Sequence, residues 1–175
     1  AGCSEQSAAL RVGDTTVSQS DFEDQLAAFA KLPNQSDPSG ELPHSYTQSF
    51  VAGVLGTRIE FILGEQVFDE EGLELTDADI QSVTEQAGNQ LKGIPADLRR
   101  SLIEDAARRA KLIDHLGSEQ YGGALREAAD ATHIEVSSRF GSWDPDQYRV
   151  VPPKGPVGGD TDTTQGPSDQ PSGGG

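Results

Sequence analysis

The sequence predicts a mostly α-helical domain closed by short β-strands near its two ends. Apolar residues recur at helical spacing through several long stretches, and residues that favour helix starts stand in front of them. Short β-type alternations occur only around residues 9–18 and 133–136. The length of 175 residues suits one domain with tails. We expect a small, polar tether over residues 1–8 and the folded domain over residues 9–151. Residues 152–175 are rich in Pro, Gly, Ser and Asp, so they cannot bury a core and are expected to be disordered.

The elements follow in order. Leu10-Arg11-Val12 and Thr15-Thr16-Val17 flank a Gly13-Asp14 turn, which reads as a hairpin. Ser20 is the expected cap of a first helix, with Glu23 at the capping-box position and Phe22, Leu26 and Phe29 on one face. Pro33, Pro38, Gly40 and Pro43 end it. A long helix is expected over residues 45–71, stopped by Gly72. It carries a broad apolar face, Val51, Leu55, Ile59, Ile62 and Leu63, and a narrower stripe, Phe50, Val54, Phe61 and Phe68. A helix apolar on two sides is buried on both, or offers one to a partner. Gly53, Gly56 and Gly64 each cost about 1 kcal/mol against Ala, and the expected return is close approach of a neighbouring helix. Thr76 caps a third helix with Asp79 in the box position, and Ile80, Val83 and Ala87 share a face. A fourth helix is expected over residues 96–116, with Leu98, Leu102, Ala106, Arg109 and Ile113 near a single face. A weaker one, interrupted by Gly122 and Gly123, covers residues 118–129. The run Ile134-Glu135-Val136 reads as a strand, and its expected partner is the strand at residues 9–12, because a lone hairpin is marginal in water.

Charge and composition exclude several functions. The formal charge is -16, with most of the excess in residues 1–96. Such a surface repels nucleic acid and anionic lipid, so a nucleic-acid partner is not expected. No run of about twenty apolar residues is present, so no bilayer span is expected. The single cysteine excludes an internal disulfide and a Cys-rich metal site. His44, His115 and His133 have no ligand spacing, so no metal and no cofactor is expected. No GxSxG, phosphate loop or EF-hand occurs, and no enzyme or small-molecule substrate is expected. Asp69-Glu70-Glu71 reads as a solvated helix end. Arg99-Arg100 and Arg108-Arg109, interleaved with Glu104 and Asp105, read as a salt-bridged face.

Ala1-Gly2-Cys3-Ser4 resembles the end of a lipobox, in which two small residues precede the acylated cysteine of a bacterial lipoprotein. The absence of Met fits a removed segment or a removed initiator, and Cys3 is the expected lipid-attachment residue. An acidic domain gains nothing from an anionic leaflet, whereas acyl chains contribute about 0.8 kcal/mol per buried CH₂.

Gly72-Leu73-Glu74-Leu75-Thr76-Asp77-Ala78-Asp79-Ile80 resembles the junction that follows the long helix in SurA-type and PrsA-type foldases. Val12-Gly13-Asp14 and Thr16-Val17-Ser18-Gln19-Ser20-Asp21-Phe22 are similar to their opening strands and first helix. Ile134-Glu135-Val136 and Arg139-Phe140-Gly141-Ser142-Trp143-Asp144 are similar to their closing strand. The chain resembles the short SurA-N-domain lipoproteins of actinobacterial type over residues 8–147. The resemblance implies a SurA-N-like fold and a holdase-like chaperone of the cell envelope. Its partners would be unfolded or newly secreted proteins, and its membrane contact would be through the lipid alone. The alternative is an adaptor lipoprotein that binds one folded envelope partner. Foldases of this family insert a parvulin domain of roughly a hundred residues before the closing strand. Only a short segment separates Gly117 from Thr132 here, so prolyl-isomerase activity is not implied. Phe50, Val54, Phe61 and Phe68 are the candidate client-contact residues, with core as their other reading.

Overall fold

The structure, a computed structural model, describes residues 7–32 and 46–153. The chain runs β1 (Ala8–Val12), β2 (Thr15–Ser18), α1 (Gln19–Phe29), α2 (Gln48–Glu70), α3 (Asp77–Ala87), α4 (Ala96–Leu116), α5 (Ser118–Ala131), β3 (Ile134–Val136), β4 (Ser142–Asp144) and β5 (Arg149–Val151). It is mostly helical with a small antiparallel sheet component. Cys3 and His44 lie outside the described residues, as do residues 1–6 of the expected tether and the expected tail from residue 154 onward. Ala8, assigned to the tether by sequence, opens β1.

One sheet has the order β2-β1-β3, so the strand near the C-terminal end pairs with the first strand, Leu10 opposite Val136 and Val12 opposite Ile134. Gly13 makes the β1–β2 turn at φ 56°, where an L side chain is strained. Its amide donates to the His133 carbonyl at 2.9 Å, which ties the turn to the entry of β3. A second sheet, β4 with β5, was read from sequence only as a closing segment.

The helix ends show which signals act. Ser18, not Ser20, caps α1: its Oγ accepts from the Asp21 amide at 3.1 Å. The hairpin delivers extended backbone up to Ser18, and extended backbone is what a cap residue needs. Helix α2 begins after Thr47, whose hydroxyl accepts from the Phe50 amide, three residues later than expected. Gly72 stops it at φ 64°, with Leu73 N–H donating to the Phe68 carbonyl and Gly72 N–H to that of Asp69. This pairing satisfies carbonyls that a helix end otherwise leaves open. Thr76 and Asp79 form the expected capping box at α3.

Helix α2 is the hub of the molecule, touching α1, α4, α5, β1 and β5. Its upper half enters a core with β1, α1, α5 and β5, centred on Leu10, Phe22, Leu55 and Ile59. Phe22 meets Phe140 edge-on at 5.0 Å between ring centroids. Its lower half enters a second cluster, where Val67 and Phe68 pack with Leu112 and Tyr121. In helix α4 the buried residues are Ile103, Asp105, Ala107 and Leu112, while of the residues grouped near one face Leu98, Leu102, Ala106 and Ile113 are half-buried and Arg109 is exposed. The helix is flanked by α2, α3 and α5, so no single stripe suffices. Ile80, Val83 and Ala87 of α3 are only half-buried, because α3 packs chiefly on α4.

Candidate functional site

The stripe proposed for client contact does not form one open surface. Val54 is buried in the first core cluster and Phe68 in the second. Phe50 packs beside Tyr46 against the first cluster. Phe61 is half-buried beside Arg58 and Asp105. A central helix is surrounded, so its second apolar stripe is taken up by neighbours.

The open apolar surface lies around the other side of α2. Phe61 and Gly56 are five residues apart, which puts them roughly 140° apart around the helix. On the Gly56 side, a groove of about 470 Å³ runs between α2, α5 and the β4–β5 hairpin. Ala52, Gly53, Gly56 and Leu63 of α2 line it, opposite Gly122, Leu125 and Ala129 of α5. Trp143 and Tyr148 of the hairpin form an aromatic wall, and Arg126, Arg149 and Glu60 stand at the groove.

The glycines of this groove serve no packing purpose that the structure reveals. A Cβ built on Gly53, Gly56 or Gly122 meets nothing within 4 Å, and none of the three has positive φ. The expected close helix approach is therefore absent at Gly53 and Gly56. At Gly64 the nearest atom is the Tyr121 hydroxyl, at 4.0 Å. Glycine in a helix interior costs about 1 kcal/mol against Ala, so these positions weaken α2 and α5 while leaving the groove floor bare.

The aromatic wall is held by defined contacts. The Asp144 carboxylate accepts from the amides of Asp146 and Gln147 at 3.0 and 3.1 Å and closes the hairpin turn. Tyr148 follows at φ 50°, a left-handed conformation uncommon for a bulky residue. Its hydroxyl donates to Asp130 at 2.8 Å, and the Arg126 guanidinium lies 6.0 Å above its ring. The Asp130 hydrogen bond raises the Tyr148 pKa. At the base of hairpin and groove, Gly141 sits at φ 144°, where a Cβ would stand 2.5 Å from the Val151 carbonyl oxygen.

Glu60 is already engaged, by Arg109 at 3.1 Å and by the Tyr121 hydroxyl at 3.1 Å. Burial, followed by the Glu60 charge, pushes the Tyr121 phenol up to about 12. Across α2, Asp105 is buried between Arg58 at 3.4 Å and Arg108 at 2.9 Å, and Arg108 also reaches Glu65. Burial raises the Asp105 pKa, and the two guanidinium groups act against that rise. The expected salt-bridged face of α4 thus exists for Arg108, through Asp105 on the same helix, while Glu65 and Glu60 of α2 add partners for Arg108 and Arg109. His115 lies 3.3 Å from Glu71 at the helix ends.

Sequence reasoning missed the groove. Trp143 was read only as part of a closing segment, and Tyr148, Arg149 and Val150 were not singled out. A signal was present in three α2 glycines that neither turn nor cap the chain, and in a Trp-Asp-Pro-Asp turn followed by Tyr-Arg-Val-Val. In comparisons with known proteins, the chain matches no family model, no curated protein and no solved structure.

Proposed function

We propose that this domain is a SurA-N-type chaperone module of the cell envelope, anchored through a lipid on Cys3, that holds unfolded or newly exported polypeptide without catalysis. The observation that carries the reading is the apolar groove with a bare glycine floor and a single aromatic wall. An extended chain needs such a floor, because its own main chain must come close to the helix backbone. Shallow apolar contact without a deep specificity pocket suits many clients. At about 25 cal/mol per Å² of apolar area, less the cost of ordering the client, binding in the micromolar range is expected. The order of opening hairpin, capped helices and returning strand supports the same reading through its resemblance to foldase N-terminal domains.

The test uses the unlipidated chain and a chemically unfolded reporter protein. Reporter aggregation should slow at near-stoichiometric amounts of the domain. Gly56→Leu places a side chain in the groove and should abolish that effect with the far-UV helix signal intact. Phe61→Ser, on the opposite side of α2, should leave it in place. No slowing with any of several unrelated reporters would reject the holdase reading in favour of an adaptor for one folded partner.

A further inference from the structure

We propose, resting on the groove reading above, that the preferred occupant is an extended peptide segment carrying a carboxylate beside small apolar residues, with the carboxylate held by Arg126 and Arg149. The chain's formal charge is -16, yet the groove's uncompensated charges are positive. Glu60 is balanced by Arg109. Arg126 and Arg149 both line the groove, and neither makes an ion pair among the described residues. The nearby carboxylates Asp130 and Asp144 do not line the groove: Asp130 accepts from the Tyr148 hydroxyl, and Asp144 accepts from two turn amides. Arg126, exposed at the groove, has its guanidinium 6.0 Å from the Tyr148 ring centre. A guanidinium presents a planar fork of donors that matches a carboxylate.

The rest of the groove selects a peptide over an acyl chain. Among the described residues, strand β5 pairs with β4 alone, so its other edge has no strand partner there. A peptide main chain can use such an edge, whereas an acyl chain offers it nothing. The floor of Gly53, Gly56 and Ala52 admits a peptide backbone with small side chains. The domain's negative field opposes an acidic segment at long range. The preference is therefore a contact effect, and it should persist near 0.15 M salt, where that field is screened beyond about 8 Å.

Trp143 is the one tryptophan of the chain and lies in the groove wall, so its emission reports occupancy directly. Three blocked heptapeptides of Val, Ala and Gly, with a central Asp, Asn or Lys, are titrated against the full unlipidated chain. The Asp peptide should bind about tenfold more tightly than the other two. The double variant R126Q/R149Q should lose that discrimination. R99Q/R100Q, which removes the same charge elsewhere, should keep it. Equal binding of all three peptides, blocked by Gly56→Leu, overturns the carboxylate preference and leaves the groove reading standing. Survival of the preference in R126Q/R149Q also overturns it. A tighter Trp143 response to laurate than to the Asp peptide overturns the peptide as occupant. No Trp143 response to any peptide, while reporter aggregation is still slowed, removes the groove as the binding site and with it this proposal.

Discussion

A helical glycine with empty space beside it is a residue whose stability cost can be measured against its use. Gly56→Ala should stabilise the domain by about 0.5–1 kcal/mol and raise Tm by about 3 °C, since a Cβ there meets no atom within 4 Å. A loss of stability on thermal melting would mean that the groove floor is already filled. Two carboxylates give opposite pH signatures. Asp79 is held down to about 2, chiefly by its hydrogen bond from Lys111, 2.7 Å away, and then by Thr76. Its contribution is present above the ordinary carboxylate value of 3.8 and is lost as pH falls toward about 2. The Tm deficit of Asp79→Asn should accordingly be full at neutral pH and shrink through that window; a deficit independent of pH would count against the Lys111 pairing. Asp105 has the opposite sign, because burial raises its pKa. The folded state takes up its proton more readily than the unfolded chain does. Its contribution is therefore greatest below 3.8 and declines as pH rises through the raised value. Asp105→Ala, which removes the shared partner of Arg58 and Arg108, should therefore cost more stability in denaturant melts near pH 3 than at neutral pH, and an equal or larger cost at neutral pH would count against this burial.

Two elements make the domain's closure, and each has a vulnerable joint. The β4–β5 hairpin depends on Gly141, because a Cβ there collides with the Val151 carbonyl and the φ of 144° is strained for other residues. Gly141→Ala should cost about 2 kcal/mol and shift Trp143 emission to the red as the hairpin lifts from α2. Unchanged emission would mean that the wall does not depend on the hairpin's register. Strand β3 is the other joint. Leu10 and Val12, both nearly inaccessible, face Val136 and Ile134 across the ladder. Deleting residues 132–151 removes β3, both hairpin strands, Phe140 and Val150. With each buried side chain worth about 1.5–3 kcal/mol, that loss should leave no cooperative melt. The pairing of β1 with β3 is legible from the chain because a lone hairpin is marginal in water and the period-two run at residues 134–136 is the other β-type segment the chain offers. The β4–β5 hairpin was not, because three-residue strands around an Asp-Pro-Asp turn carry too little periodicity to register.

At the scale of the whole molecule, helix number and approximate bounds followed from period and punctuation, as in the capping box at Thr76 and Asp79 and the stop at Gly72. These are local effects, settled within one or two turns of chain. The anchoring expectation is equally local. In cells making the full precursor, Cys3→Ala should move the protein from the membrane to the soluble fraction, and full retention would reject the anchor. What local signals do not carry is which side of a helix a distant element covers. Periodicity marked two apolar stripes on α2 and could not assign them. The tertiary structure buries Val54 and Phe68, leaves Phe61 half-buried and opens the glycine face instead. The reason is that α2 is central. Helices α4 and α5 and strand β5 occupy positions around it set by contacts far apart in sequence, and the space left between them is the groove. Its ionic character was equally hidden. That Arg109 neutralises Glu60 while Arg126 and Arg149 stay without an ion pair depends on which helices meet. The sequence by itself determined the helices, the capping box at Thr76 and Asp79, the stop at Gly72 and the end-to-end strand pairing. Only the packing of α2 against its neighbours decided where an apolar surface and free positive charge would face outward together.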